Sequence, residues 1–206
     1  LDPNFAKGQW NRGLTQLLLG DFAHGWDGYD WRERAGEVKI DQYELPRWDG
    51  SYLAGRTILV HAEQGVGDEI LFNSCIPDLL EQKARVALTC DPRLKDLFAR
   101  SFPGVTMLPL QSTRGETVRP ESGVDCHVPN GTLPYFLRRS WDAFPKRHSY
   151  LVADATQTAE WRQRFASLGE GLKVGISWRA GGKASEQRRR TTELAAWEPL
   201  LTLPGV

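Results

Sequence analysis

The 206-residue chain carries 26 basic and 26 acidic side chains, so its formal net charge is zero. With 40% hydrophobic and 25% charged residues it has the composition of an ordinary globular protein, and no global field draws it to nucleic acid or anionic lipid. No apolar run reaches the ~18 residues of a membrane span, and no charged-then-apolar leader opens the sequence.

Residues 1–36 read as a helical hairpin. Asp2-Pro3-Asn4 supplies a helix start, with proline fixing φ in the first turn and Asp or Asn able to cap. Phe5, Leu14, Leu17 and Leu18 form an apolar stripe at helical spacing, Gly20-Asp21 marks a turn, and Phe22, Trp26 and Tyr29 line a second helix. Residues 37–55, broken by Pro46, Gly50 and Gly55, read as a connector whose Trp48 packs on the domain that follows.

Residues 56–61 (Arg-Thr-Ile-Leu-Val-His) form an apolar run of the kind found in a buried parallel strand. The loop Glu63-Gln64-Gly65-Val66-Gly67-Asp68 follows, then a helical pattern of Ile70, Leu71, Cys75 and Leu79 that Pro77 kinks or ends. A second strand is expected at residues 85–89, then Asp91-Pro92, a short helix with Leu94, Leu97 and Phe98, and a third strand at 105–108. Strand, loop, helix and strand make a right-handed βαβ unit.

Gly65 and Gly67 give the loop access to backbone angles closed to other residues and room for a ligand. The helix start behind them favours an anion, and Asp68 at that start is itself stabilised by the helix dipole. Asp68 therefore either caps its helix or acts on a ligand. Glu63-x-Gly65-x-Gly67 with Asp91 after the second strand also outlines an S-adenosylmethionine site, and loosely a dinucleotide site. The third glycine of the dinucleotide fingerprint is absent, and residues 56–150 hold fewer strands than a methyltransferase needs. The three cysteines, Cys75, Cys90 and Cys126, follow no Cys-x-x-Cys spacing and read as buried thiols of a cytoplasmic protein, with no metal site expected.

Residues 156–171 read as a linking helix with Trp161, Phe165 and Leu168 on one face. Residues 173–178 (Lys-Val-Gly-Ile-Ser-Trp) have another buried-strand pattern. They run into the basic loop Arg179-Ala180-Gly181-Gly182-Lys183, a basic run at 188–190 that is either functional or simply solvated, and a helix with Leu194, Trp197, Leu200 and Leu201.

Two resemblances cover nearly the whole chain in order. The spacing from Asp2-Pro3-Asn4 through Asn11, Gly13 and Gly20-Asp21-Phe22 resembles a tetratricopeptide repeat, in which a small residue on the first helix lets the second pack closely. Residues 59–77, with the Glu63–Asp68 loop at their heart, resemble the first β–loop–α unit of tetratricopeptide-linked glycosyltransferases. These are related to the heptosyltransferases and, more distantly, to the O-linked N-acetylglucosamine transferases. Further matches lie at residues 85–105, at Val124-Asp125-Cys126-His127-Val128-Pro129 with Leu133-Pro134, and at Tyr150-Leu151.

The resemblance implies an α/β chain of GT-B type, with a parallel sheet of roughly five to seven strands. Residues 56–155 would be the acceptor-side Rossmann-like domain and residues 172–206 the first strand–loop–helix of a donor domain, with about 100–150 further residues to complete it. Asp68 matches the catalytic base of heptosyltransferases. Glu63, Gln64, Gly65 and Gly67 belong to its loop; His61, Glu63 and His127 are secondary candidates whose plainer role is structural. Trp178, Arg179, Lys183 and Arg190 would face the diphosphate of a nucleotide-sugar donor, which is a substrate, with no cofactor implied. The acceptor would be a protein or glycan hydroxyl, and the repeat implies a protein partner. Asn73-Ser74-Cys75 stand where the family carries an arginine-aromatic pair, which puts acceptor contacts there in doubt. The alternative from another class is a non-catalytic interaction module built of the repeat and the Rossmann-like domain.

Overall fold

The computed structural model describes residues 2–110, 117–118, 123–179, 181, 187–188 and 190–203. They fall into two compact units, Leu1–Ala153 and Asp154–Val206.

The first unit opens with α1 (Ala6–Leu18) and α2 (Phe22–Tyr29). The expected cap at Asp2 or Asn4 is not made. The Asp2 carboxylate accepts the N–H of Asn4 at 2.8 Å instead, and Phe5 holds the N-cap position with no side-chain hydrogen bond. Gly20 and Asp21 do form the turn. Gly20 has φ of 80°, its N–H bonds Leu17 O at 3.0 Å and the Asp21 N–H bonds Gln16 O at 2.9 Å, the paired bonds of a Schellman stop. Asp21 then caps α2 by accepting from the His24 N–H.

The contact face of α1 differs from its leucine stripe: Phe5, Leu14 and Leu18 are exposed. The helices meet backbone to backbone instead. A Cβ on Gly13 would lie 2.6 Å from Gly28 C, and one on Gly28 2.5 Å from Gly13 Cα. Side chains of α2 dock the hairpin on the rest of the unit. Trp26 Nε1 donates to Arg138 O at 2.8 Å, and the Phe22 ring lies 4.8 Å from Trp141 and 4.7 Å from Phe144.

Among the described residues six short strands follow: β1 (Gln42–Tyr43), β2 (Thr57–His61), β3 (Arg85–Thr89), β4 (Thr106–Leu108), β5 (Thr117–Val118) and β6 (Cys126–Pro129). The main sheet is parallel and four-stranded, in the order β4-β3-β2-β6. It is narrower than expected because β1 and β5 pair with each other in a separate two-stranded sheet. Period-two alternation sends Ile58, Val60, Val86, Leu88, Cys126 and Val128 into the main core, against Ile76, Leu79, Phe98, Phe102 and Leu133. Leu59, His61, Ala87, Thr89 and His127 point to the opposite face and are buried there as well. The connector behaves as expected, since Trp48 is buried in the main core with its ring 4.8 Å from Phe136.

The helix after β2 breaks where proline requires. α3 (Val66–Phe72) passes through a 3₁₀ turn at Asn73–Cys75 into α4 (Ile76–Glu81), which has Pro77 in its first turn, where no donor is needed. Ile70, Cys75 and Leu79 face inward, whereas Leu71 is 62% exposed. A 3₁₀ turn (Pro92–Leu94) leads into α5 (Lys95–Ser101), and a second (Asn130–Thr132) leads into α6 (Leu133–Leu137). Cys75, Cys90 and Cys126 are free and buried, as read from their spacing.

The second unit holds α7 (Ala155–Ser167), capped by Asp154, then a 3₁₀ turn (Leu194–Trp197) and α8 (Glu198–Leu201). The strand expected at residues 173–178 is not formed, and Val174 is 52% exposed. The run has the right residues, but a parallel strand needs a neighbour on which to pair, and the described residues of this unit form no strand. Among the described residues no helix is long and apolar enough to cross a membrane.

Gly28→Ala should destabilise the first unit by about 1–3 kcal/mol through overpacking, despite a helix-propensity gain of up to about 1 kcal/mol. Gly67→Ala, whose Cβ would meet nothing within 4 Å, should cost nothing. Urea unfolding of the two variants checks the contrast; equal stabilities would mean that the hairpin can open without penalty.

Candidate functional site at the switch point of the sheet

The chain runs outward from β2 through β3 to β4 and then returns to β6 on the other side of β2. The loops leaving the C-terminal ends of β2 and β6 therefore diverge, which is where open α/β sheets bind ligands. Here the crevice is filled from within. Arg32, in the 3₁₀ turn (Asp30–Arg32) that ends the hairpin, is 1% exposed and forks onto the Glu63 carboxylate, Nε to Oε1 at 3.0 Å and Nη2 to Oε2 at 2.8 Å. Nη2 also donates to Thr132 Oγ1 at 2.8 Å. Burial is the largest single influence and would lower the Arg32 pKa, but the Glu63 charge and hydrogen bonds, with Tyr29 and Asp30, together outweigh it and the guanidinium stays firmly protonated. A Cβ at Gly131 would collide with Glu63 Oε1, so any larger residue there would have to displace the Glu63 carboxylate from its fork with Arg32. Gln64 extends the network by donating to Tyr29 Oη at 2.8 Å.

Asp68 lies half-buried on the other side of this loop. Its Oδ2 accepts the Gly65 N–H at 3.2 Å, so it does cap its own turn. Its second oxygen has no hydrogen-bond partner among the described residues. The glycines before it do not use the freedom expected of them: Gly65 has φ −82° and ψ 170°, and Gly67 sits in α3 without a positive φ. What Gly67 leaves is open space, with nothing within 4 Å of a Cβ built there. The start of α3 is a poor place for the expected anion, because the helix is only 7 residues long and its first turn already holds Asp68 and Glu69.

His61 and His127 come together on the face of the sheet opposite the main core, Nε2 to Nδ1 at 3.1 Å, with the Tyr43 ring 4.7 and 5.1 Å from theirs. Burial, reinforced for His61 by His127 and for both by Arg47, pushes His61 down to about 3 and His127 to about 4. Both are neutral near pH 7 and share one proton across the contact. They are core residues rather than acids or bases facing a ligand.

Asp91, the acid that the S-adenosylmethionine and dinucleotide alternatives need, is committed elsewhere. Both its oxygens bind the Arg93 guanidinium, at 2.9 and 2.8 Å, and the Arg93 N–H bonds Oδ1 as well, which lowers Asp91 to about 2. In the stretch that departs from the family pattern, Asn73 and Cys75 are buried, and Ser74 Oγ donates to Leu71 O at 2.6 Å. Trp178, Arg179 and Arg190 belong to the second unit, where both arginines are exposed and Trp178 is half-buried. Lys183 lies outside the described residues.

Sequence reading missed Arg32, Arg47, Thr132 and Glu69. Nothing local marks the first three, whose partners are far away in the chain. Glu69 is 2% exposed, and burial raises it to about 7, only partly countered by the Asp91 N–H at 3.2 and 3.0 Å from its two oxygens. Its position on the buried side of α3, one residue after Asp68, was the only available signal. Among the described residues no group of three or more His, Cys, Asp or Glu is placed to hold a metal ion.

Among curated proteins, the chain is similar to Protein FlbA of Caulobacter vibrioides (strain ATCC 19089 / CIP 103742 / CB 15). The two are 31% identical over 221 residues, which is 98% of this chain and 36% of that protein. The chain thus spans little more than a third of its relative. No protein-family model matches it, and no solved structure matches it.

Two outcomes are expected here. Glu63→Gln removes the charge opposite a fully buried guanidinium and should cost about 3–5 kcal/mol in urea unfolding; a loss below about 1 kcal/mol would mean that Arg32 finds water. Glu69 binds its proton more tightly folded than unfolded, so its contribution is full below pH 4.5 and is lost as pH rises through about 7. Glu69→Gln should therefore raise Tm relative to the parent at pH 8, with the gain vanishing near pH 5. A gain confined to acid pH would show that Glu69 is ionised in the fold.

Proposed function

We propose that this chain is the acceptor-side, Rossmann-like part of a glycosyltransferase, with a tetratricopeptide-like hairpin built onto it. The observation that carries the proposal is Asp68: a half-buried carboxylate with one oxygen unclaimed, beside open space, at the C-terminal edge of a parallel sheet. Filling of the switch-point crevice by Arg32 and Glu63 supports the assignment to the acceptor side, because a nucleotide has no room where a Rossmann domain would usually hold one.

In this reading Asp68 takes the proton of an acceptor hydroxyl as that oxygen attacks the anomeric carbon of a nucleotide-diphosphate sugar. The new glycosidic bond forms as the bond to the diphosphate breaks, and the negative charge passes to the leaving group. The donor-side candidates of the resemblance are Trp178, Arg179, Lys183 and Arg190, of which the three cations are suited to neutralise it. The acceptor is a protein or glycan, and the hairpin offers a surface to a protein partner. Since the chain spans 36% of FlbA, the complete activity belongs to a longer protein in this proposal.

The second reading, a non-catalytic interaction module, is favoured by one observation: Leu18 and Leu19 at the end of α1 are 87% and 78% exposed. One experiment separates the two. In the full-length protein, Asp68→Asn should lower kcat for transfer from a nucleotide-diphosphate sugar by about 10²–10⁴-fold, with the far-ultraviolet circular dichroism unchanged. Turnover equal to the parent's would falsify the role given to Asp68. A parent protein that consumes no donor from a panel of nucleotide sugars would favour the module.

A further inference from the structure

Beside the plugged crevice, on the hairpin side, lies an open cleft of ≈ 410 Å³ lined by Asp27, Asp30, Trp31, Glu33, Arg34, Arg47 and Tyr135. This volume is within the ~300–1,000 Å³ typical of small-molecule sites. The end of the hairpin, the connector and α6 each supply part of its wall. Arg47 ties it to the switch point, donating at 3.0 Å to the same Thr132 hydroxyl that holds Arg32.

The charges of the wall balance in number, Asp27, Asp30 and Glu33 against Arg34, Arg47 and the adjoining Arg139. Asp27 Oδ1 accepts from Arg139 at 2.6 Å, and Asp30 Oδ1 lies 3.4 Å from Arg32 Nη1 and 3.5 Å from Arg47 Nη2. Glu33 Oε1 accepts from Gln42 at 3.1 Å. Each of these three carboxylates keeps its second oxygen without a hydrogen-bond partner among the described residues. The two aromatic rings carry guanidinium groups on their faces, Arg34 over Trp31 at 5.1 Å and Arg139 over Tyr135 at 5.0 Å.

This lining selects its guest by elimination. Charges that balance in number create little net field for a polyphosphate or a lone cation. An apolar guest would cover carboxylate oxygens and guanidinium N–H groups without replacing their water. A neutral polyhydroxylated ring meets both demands. Its hydroxyls donate to the unclaimed oxygens of Asp27, Asp30 and Glu33 and accept from Arg47, while its C–H groups pack on the part of Trp31 or Tyr135 that the guanidinium groups leave uncovered. We propose that the cleft binds a carbohydrate ring of the acceptor. In calling that sugar an acceptor the proposal rests on the glycosyl-transfer reading; that the cleft takes a sugar does not.

The test uses the full-length protein on an array of oligosaccharides, with the best-bound oligosaccharide then used as acceptor. Trp31→Ala and Glu33→Gln should each weaken binding about 10-fold and raise the acceptor KM in proportion, without lowering Tm. A parent that binds no oligosaccharide, or variants that bind as tightly as the parent, would overturn the proposal. The two readings fail separately. Transfer with an acceptor KM unchanged in both cleft variants sinks the cleft and leaves Asp68 standing. Binding lost in both variants of a protein that transfers nothing supports the cleft and sinks the transfer reading.

Discussion

The ion pair between Arg32 and Glu63 is the constraint around which the first unit is arranged. Neither charge reaches solvent, with side-chain exposures of 1% and 0%, so each is tolerable only because the other is there. A forked, two-bond geometry and a third bond to Thr132 are what make such burial sustainable. The consequences spread outward. Residue 131 loses its side chain to make room, the β6 loop is held by its threonine, and Gln64 is turned toward Tyr29 at the end of α2. The glycine-to-glycine contact in the hairpin then sets how closely α1 follows α2 into place.

The same arrangement divides the C-terminal edge of the sheet by task. The loop after β2 is committed inward at its first half, Glu63 and Gln64, and left open at its second, Gly67 and Asp68. The histidines that end β2 and run through β6 face the opposite side and stay neutral. In the glycosyl-transfer proposal, the fixed inner half of the loop is what would hold the Asp68 carboxylate still.

What was legible in the sequence was local. The β2 and β3 runs, the Gly20-Asp21 turn, the break at Pro77 and the burial of Trp48 each rest on hydrophobic period or turn chemistry within a few residues, and the structure places them as read. The parts that were not legible are long-range. Arg32 finds Glu63 across 31 positions and Thr132 across 100, and no local pattern announces either meeting. Residues 173–178 show the converse failure: a sound strand pattern with no strand beside it. Of the freedom and the room expected of the glycines before Asp68, the geometry shows only room, at Gly67. Asp68 itself was placed at its helix start correctly, and both roles open to it in sequence, cap and reactive group, remain compatible with its two oxygens.

The buried pair also bears on how such a chain can be inherited. Viewed as a parts list, the hairpin and the sheet are separate modules joined by a polar connector, the kind of seam at which genes exchange domains. Yet the charge that completes the sheet's crevice is encoded upstream of that seam. A crossover within residues 37–55 would hand the descendant a buried acid with no counterion, or a hairpin ending in an arginine with nowhere to go. The two pieces should therefore travel through evolution as one unit, changing at positions 32, 63 and 131 together or not at all.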